Sequence, residues 1–143
     1  MRPAHLTALR EPSRRIATVA LGAAAVLGLI AAPAQASTYS SHLTGAGPGF
    51  ESSRWNDSGG TTNIKFTGCT DDYNDKSVTV RLRKDTFGPD PSYVNAVFTQ
   101  CFVSGTSTSS GTWADHGSGA YYFVVNDAMV GVRVTVKSLT VTY

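Results

Sequence analysis

Alternation of apolar and polar residues with a period of two is the feature that most restricts how this chain can fold. In the stretch Ser77 to Lys84, Val78, Val80 and Leu82 share one parity, and Thr79 and two arginines share the other. Successive side chains of a β-strand point to opposite faces of the sheet, so this pattern predicts a strand with one buried and one solvated face.

Helical periodicity is nearly absent after residue 36, where no window longer than one turn has apolar residues at i, i+3, i+4 and i+7. β-branched and aromatic residues supply the apolar positions, and clusters of Gly, Pro, Asn and Asp separate the runs. We therefore expect an all-β fold, an antiparallel β-sandwich of jelly-roll or immunoglobulin-like type with roughly six to eight short strands.

Further strands are expected at 61–67, Ala96 to Val103, Ala120 to Val125, and Met129 to Tyr143. In the last run the apolar parity changes between Lys137 and Ser138, so a β-bulge or a bend must interrupt the strand there. Connections are expected at 85–92, at 105–111, and as a turn near Asn126 and Asp127.

The N-terminal 36 residues have the organisation of a secretory signal peptide. Four arginines precede an uncharged apolar run from Ile16 to Ala34, and small residues at Ala34 and Ala36 predict cleavage after Ala36. A membrane-spanning helix is a weaker alternative because Pro33 breaks the apolar run. A twin-arginine export signal is also a weaker alternative, because Ala17 lies where that signal usually has a bulky apolar residue. The sequence therefore predicts a secreted, extracellular protein.

Removal of this leader changes the charge of the chain. Four of the 12 Lys and Arg residues and one of the 10 Asp and Glu residues precede Ser37, which leaves 8 basic and 9 acidic residues. A net charge of minus one removes the electrostatic argument for nucleic acid or an anionic membrane as partner. We expect no membrane insertion and a monomer.

The 107 residues that follow the leader form one predicted domain. Residues 37–60 are rich in Gly and Ser and are expected to be mostly irregular, with one short strand near Phe50, while residues 61–143 hold the sandwich core. Cys69 and Cys101 are expected to form a disulfide, because exported proteins with an even number of cysteines usually pair them; two buried thiols are the alternative.

Four aromatic residues are the candidate ligand-binding residues. Trp55 and Trp113 lie among small polar residues, and Tyr121 and Tyr122 belong to a strand that is apolar on both faces. Such rings could stack on a sugar or enter a pocket of a partner protein. The alternatives are that both indoles are buried at an end of the sandwich, and that the segment 37–60 covers the second apolar face.

One stretch of the sequence could hold a metal ion, because three carboxylates and an amide follow a cysteine closely. It is Gly68-Cys69-Thr70-Asp71-Asp72-Tyr73-Asn74-Asp75. Asp and Asn favour turns, whereas a calcium loop needs six or more converging oxygens and a glycine at its sharp bend. We interpret Asp71 to Asp75 as a turn that connects two antiparallel strands, and we expect no metal and no cofactor.

Catalytic patterns are weak in this sequence. His42 and His116 are the candidate general bases at neutral pH after the leader, and neither lies in a nucleophile motif.

The sequence predicts a non-enzymatic secreted protein that binds an extracellular carbohydrate, cell surface or protein. An inhibitor of a secreted hydrolase that presents the loop Asp85 to Ser92 is the alternative. The overall organisation resembles small exported bacterial proteins, including extracellular inhibitors and sugar-binding modules.

Overall fold

A computed structural model describes residues 36–125 and 132–143. The predicted signal peptide, apart from Ala36, and the predicted turn at Asn126 and Asp127 lie outside the described residues. The described strands are β1 (Thr38–Ala46), β2 (Phe50–Glu51), β3 (Trp55–Asp57), β4 (Thr62–Asp71), β5 (Val78–Asp85), β6 (Ser92–Phe98), β7 (Thr108–Trp113), β8 (Gly119–Val125) and β9 (Val134–Thr142). A short 3₁₀ turn, Gln100–Phe102, follows β6.

The strands form two antiparallel sheets that pack face to face. Sheet A has the order β1-β9-β4-β7, and sheet B has the order β2-β8-β5-β6 with β3 also paired to β8. The pairs β1 with β9, β2 and β3 with β8, β4 with β7, and β5 with β6 are nested along the chain, which is the strand order of a jelly roll. The predicted antiparallel β-sandwich is confirmed, and the strand order selects the jelly roll.

The described residues contain nine strands, one more than the upper end of the prediction. Seven have six or more residues, whereas β2 and β3 have two and three. Both short strands pair with successive parts of β8, so together they act as one interrupted strand. Sequence patterning detects strands by alternation, and segments this short carry too few residues to show it.

The core lies between the sheets and is built from alternating positions. All three apolar residues of the β5 alternation are fully buried, as predicted. Phe66 of β4 lies at the centre, edge-on to Phe98 at 5.0 Å and to Phe123 at 5.7 Å between ring centroids. These contacts join the inner faces of the two sheets, and burial of such large apolar side chains is the dominant favourable contribution to folding.

The predicted interruption in the terminal strand is confirmed within β9. Val136 and Leu139 are both buried, whereas Lys137 and Ser138 between them are exposed. The valines before the break and the apolar residues after it therefore reach the same core despite their opposite parity.

The neighbouring strand β4 changes parity at the same level, where Phe66 and Cys69 are both buried. Gly68 makes this change possible with a φ of 65°. A Cβ at this position would lie 2.6 Å from the carbonyl oxygen of Gly105. Only glycine adopts this conformation without strain and leaves room for the neighbouring backbone.

The predicted disulfide between Cys69 and Cys101 is confirmed. Their Cα atoms are 5.0 Å apart, and both residues are buried. Cys69 lies in β4 of sheet A, and Cys101 lies in the 3₁₀ turn that follows β6 of sheet B. The bond therefore connects the two layers of the sandwich.

The strand prediction for Ala96 to Val103 is wrong beyond Phe98. There β6 ends, and the chain enters the 3₁₀ turn that contains Cys101. The N–H of Cys101 donates to Oγ of buried Ser109 at 2.9 Å. The alternating pattern of this stretch does not encode the turn, which the disulfide and this hydrogen bond hold in place.

The prediction that 105–111 is an exposed connection is wrong from Thr108 onward, where β7 begins. The inward positions of β7 are Ser109, Gly111 and Trp113. A Cβ on Gly111 would lie 2.7 Å from Cη2 of Trp113, so the indole occupies the space that a larger residue would fill. The strand was not predicted from the sequence because two of its inward residues, Ser109 and Gly111, are small and do not produce an apolar alternation.

The Gly/Ser-rich segment 37–60 is part of the sandwich. The expected strand near Phe50 is present as β2, but β1 and β3 form as well. The nine residues of β1 pair with β9 through two register shifts on either side of Leu43, and Leu43 and Ala46 are buried. The expectation of a mostly irregular segment is therefore corrected for Thr38–Ala46, because pairing with a long neighbour forms a strand that has little apolar alternation of its own.

Candidate functional site

Trp113, one of the predicted ligand-binding residues, is buried with 4% of its surface exposed. It lies at the end of β7 in sheet A, and its Nε1 donates to the carbonyl oxygen of Val94 in β6 of sheet B at 2.7 Å. The indole thus closes one edge of the sandwich. No face of its ring is open for stacking on a sugar.

Trp55 is also buried, and it packs across the opposite edge of the sandwich. Its ring centroid lies 5.9 Å from that of Tyr39 in β1 and 6.0 Å from that of Tyr143 after β9. Trp55 belongs to sheet B through β3, whereas both tyrosines belong to the sheet A side. The two tryptophans therefore occupy separate edges of the core and do not form one exposed aromatic surface.

Tyr121 and Tyr122 complete the predicted set, and each is 1% exposed. The hydroxyl of Tyr121 donates to the carbonyl oxygen of Gly117 at 2.6 Å. Tyr122 lies on the outer face of sheet B, where the guanidinium carbon of Arg54 lies 4.3 Å from its ring centroid. Arg54 of the segment 37–60 thus covers the ring of Tyr122, and none of the four candidate aromatic residues forms an open patch.

The exposed aromatic side chain that stands out is Phe87, at 112% of the reference exposure. It lies in loop 86–91, the six residues Thr86-Phe87-Gly88-Pro89-Asp90-Pro91 that connect β5 to β6. Sequence reasoning chose this loop for its prolines but missed Phe87. The signal that could have identified it is an aromatic residue directly before Gly-Pro, outside any alternating run.

Asp90 holds the base of loop 86–91 in place. Its Oδ1 accepts the N–H of Thr86 at 3.0 Å, and its Oδ2 accepts the hydroxyl of Tyr122 at 2.6 Å. The N–H of Lys84 donates to the carbonyl oxygen of Pro91 at 3.1 Å. One carboxylate therefore connects the loop backbone to the outer face of sheet B.

These hydrogen bonds favour the ionised form of Asp90. The Tyr122 hydroxyl, and next the N–H of Thr86, hold the pKa of Asp90 below its usual value. A depressed pKa stabilises the folded state above the pKa of the unfolded chain, and the contribution is lost as the pH falls through the folded-state value. The loop is accordingly anchored at neutral pH.

A second anchor flanks the loop at the end of β5. Nε of Arg54 donates to Oδ2 of Asp85 at 3.0 Å, and an amino group of the same guanidinium lies 3.0 Å from Oε2 of Glu51. All three side chains are partly exposed, so each ion pair contributes little to stability. Their effect is geometric, because they place a fixed charged surface beside the loop.

The acidic stretch begins at Asp71, the last residue of β4, and continues as the turn that leads to β5. The carboxylate of Asp71 accepts three backbone N–H groups, from Tyr73 at 3.0 Å, Asp75 at 3.1 Å and Lys76 at 2.9 Å. These donors would repel a cation at the same oxygens. Among the described residues, no three His, Cys, Asp or Glu side chains are placed so that they could hold a metal ion.

Addition of millimolar calcium should leave the thermal unfolding midpoint within about 1 °C of that measured with chelator. The reason is that both oxygens of Asp71 already accept N–H groups, and a calcium site needs at least six free oxygens. Differential scanning calorimetry with calcium and with chelator tests this. An increase of several degrees with calcium would contradict the assignment of this stretch as a turn.

His116, one of the two candidate bases, and the adjacent Asp115 each contact other residues. The imidazole of His116 stacks on Tyr93, with centroids 3.7 Å apart and planes 9° apart. Asp115 accepts the N–H of Gly117 at 2.7 Å, and this bond is the main cause of its lowered pKa. The carboxylate is thus engaged within its own loop, and Lys84 donates to the carbonyl oxygen of His116.

No protein-family model matches this chain, and neither a curated protein nor a solved structure matches it significantly. No helix within residues 36–125 and 132–143 is long and apolar enough to cross a membrane. Among the described residues, loop 86–91 carries the most exposed large hydrophobic side chain, Phe87.

Proposed function

We propose that this protein is a secreted, non-enzymatic binding protein that recognises an extracellular protein partner through loop 86–91. The observation that carries the proposal is the full exposure of Phe87 on a loop whose base is fixed by Asp90. Aromatic residues are enriched in protein interfaces, and a few such anchors supply most of the binding energy.

The rigidity of the loop supports this proposal. Binding orders flexible segments at a cost in free energy, and a loop that is already held in one conformation avoids most of that cost. Two prolines restrict the backbone of loop 86–91, and the hydroxyl of Thr86 donates to the carbonyl oxygen of Pro89 at 3.3 Å. The flanking Arg54, Asp85 and Glu51 provide charged groups at the rim, where they favour a correctly oriented partner.

Inhibition of a secreted hydrolase is the most specific form of this proposal, since a rigid protruding loop suits the cleft of an enzyme. The carbohydrate hypothesis loses the residues on which it depended, because Trp55, Trp113, Tyr121 and Tyr122 are all buried. Recognition of a protein is therefore favoured over stacking on a polysaccharide at these positions.

The substitution Phe87→Ala should weaken binding to the partner by at least ~30-fold, the ratio that corresponds to ~2 kcal/mol for an interface anchor. The experiment measures inhibition and direct binding against a panel of secreted proteases and amylases. Because Phe87 contacts mostly solvent, the free energy of unfolding should change by less than ~0.5 kcal/mol.

Tyr73→Ala is the matched control for Phe87→Ala, since Tyr73 is 70% exposed and lies in the turn that precedes β5, at the opposite end of that strand. It should leave binding unchanged. The proposal is refuted if no enzyme in the panel is bound or slowed, or if the Phe87→Ala protein binds as tightly as wild type.

A further inference from the structure

A pocket lies at the end of the sandwich remote from loop 86–91. Its volume is about 180 Å³, and it is lined by Cys69, Thr70, Asp71, Asn74, Lys76 and Phe102. The pocket adjoins the start of β5, whereas the loop follows its end, so eight residues of strand, ~23 Å, separate the two. It is therefore independent of the protein-binding surface proposed above.

The pocket is formed by the acidic turn on one side and the 3₁₀ turn on the other. Asp71 fixes the acidic turn through its three N–H bonds, and Asn74 and Lys76 both have positive φ, 63° and 54°. The disulfide joins Cys69, near the acidic turn, to Cys101, which precedes Phe102 in the 3₁₀ turn. The walls of the pocket are thus cross-linked to each other.

The lining combines one apolar wall with several hydrogen-bonding groups. Phe102 is half-buried next to disulfide-bonded Cys101, and the lining also includes Thr70, Asn74 and Lys76, whose side chains carry a hydroxyl, an amide and an ammonium group. Small-molecule sites typically join an apolar surface to a few polar groups that fix the orientation of the ligand. A sugar ring has matching chemistry, because its C–H face is apolar and its edge carries hydroxyls.

Size and charge restrict the ligand further. At ~30 Å³ per water molecule the pocket holds about six waters, which is too small for a drug-sized ligand. The acidic turn carries Asp71, Asp72 and Asp75 against the single cation of Lys76, so its net negative charge disfavours anions. The donors aimed at Asp71 disfavour cations at its oxygens.

We propose that this pocket binds one neutral sugar ring, either a free monosaccharide or the terminal residue of a glycan. Phe102 supplies the apolar wall, and Asn74 and Lys76 bond the hydroxyls at the edge. This places a second recognition site at the end of β5 opposite loop 86–91. The proposal does not depend on the partner of that loop.

The test is a titration followed by ¹H–¹⁵N NMR spectra of the protein after removal of residues 1–36, up to about 100 mM ligand. The probes are glucose, galactose and N-acetylglucosamine as free sugars. A neutral trisaccharide of each sugar represents the end of a glycan, and glucuronate tests whether an anionic sugar also binds. A ligand this small in a shallow site should bind with a millimolar Kd. Shifts should concentrate at residues 69–76 and 101–103.

Asn74→Gly is the principal variant, because glycine adopts the positive φ of this position without strain while the amide is lost. It should weaken binding of the neutral sugar at least about fivefold, the effect of losing one hydrogen bond of ~1 kcal/mol. Phe102→Ala should abolish binding, with the unfolding midpoint measured to confirm that the protein still folds. Phe87→Ala, remote from the pocket, should bind the sugar as wild type does.

Several results would overturn the proposal. They are the absence of localised shifts with every neutral sugar, binding of glucuronate as tightly as its neutral counterpart, and unchanged affinity in both Asn74→Gly and Phe102→Ala. Tighter binding of the trisaccharide than of the monosaccharide would identify a glycan terminus as the ligand, and equal binding would identify the free sugar. Loss of protein binding in Phe87→Ala with sugar binding retained would show that the two sites are separate.

Discussion

The double variant Cys69→Ala, Cys101→Ala should be less stable than wild type by about 3–4 kcal/mol in free energy of unfolding. The disulfide spans a sequence separation of 32 residues and connects β4 of sheet A to the 3₁₀ turn after sheet B. Its loss frees the unfolded chain to adopt many more conformations. For a domain of this size the thermal midpoint should fall by roughly 12–30 °C.

Thermal and urea denaturation of the purified variants measures this effect, and reduced wild-type protein is the control that keeps both cysteines in the sequence. Both cysteines are buried, so a single substitution would leave an unpaired thiol and is less suitable. A double variant that unfolds within about 3 °C of wild type would mean that packing alone holds the two sheets together.

The substitution Trp113→Ala should destabilise the protein by about 3–5 kcal/mol, the range for deletion of a large aromatic side chain from a core. Two contacts are lost at once. The indole fills the space above Gly111, and its Nε1 donates to the carbonyl oxygen of Val94 at 2.7 Å. Neighbouring side chains cannot fill a cavity of this size, so the edge between β6 and β7 should open.

Trp113→Phe separates packing from hydrogen bonding, because it keeps most of the apolar volume and removes the Nε1 donor. We expect a loss of about 1–3 kcal/mol for this variant, smaller than for alanine. Urea denaturation followed by tyrosine fluorescence or circular dichroism gives both values. If Trp113→Ala unfolds at the same urea concentration as wild type, the indole is not part of the core. That result would support the prediction that Trp113 is an exposed ligand-binding residue.

Part of the candidate site was predictable from the sequence. The loop Asp85 to Ser92 was identified because Gly and Pro interrupt the alternation, and the turn after Cys69 was identified because Asp and Asn favour such backbone conformations. The importance of Phe87 was not predictable, since exposure depends on whether any other segment covers the loop. The pocket beside Phe102 was not predictable either, because it forms only where the disulfide joins the end of β4 to a 3₁₀ turn that is distant in the chain.

The aromatic residues show why burial is difficult to infer from local sequence. Trp55 and Trp113 have polar neighbours because each lies in a strand whose outer face is solvated, which is also how an exposed platform would look. Tyr122 lies on the outer face of sheet B, yet Arg54 covers its ring. The sequence places these residues on strands, but the opposite sheet and its edges decide whether water reaches them.

The sequence by itself determined the all-β class, the sandwich architecture, the disulfide and the interruption in β9, because alternation follows from the geometry of a single strand, and an even number of cysteines in a chain with a predicted signal peptide usually forms disulfides. The tertiary structure alone decided that β7 is a strand, that both tryptophans are core, and that Phe87 is exposed. The physical reason is that the space beside a small inward residue such as Gly111 is filled by the side chain of another residue, here Trp113. Such complementarity exists only after distant strands have packed together.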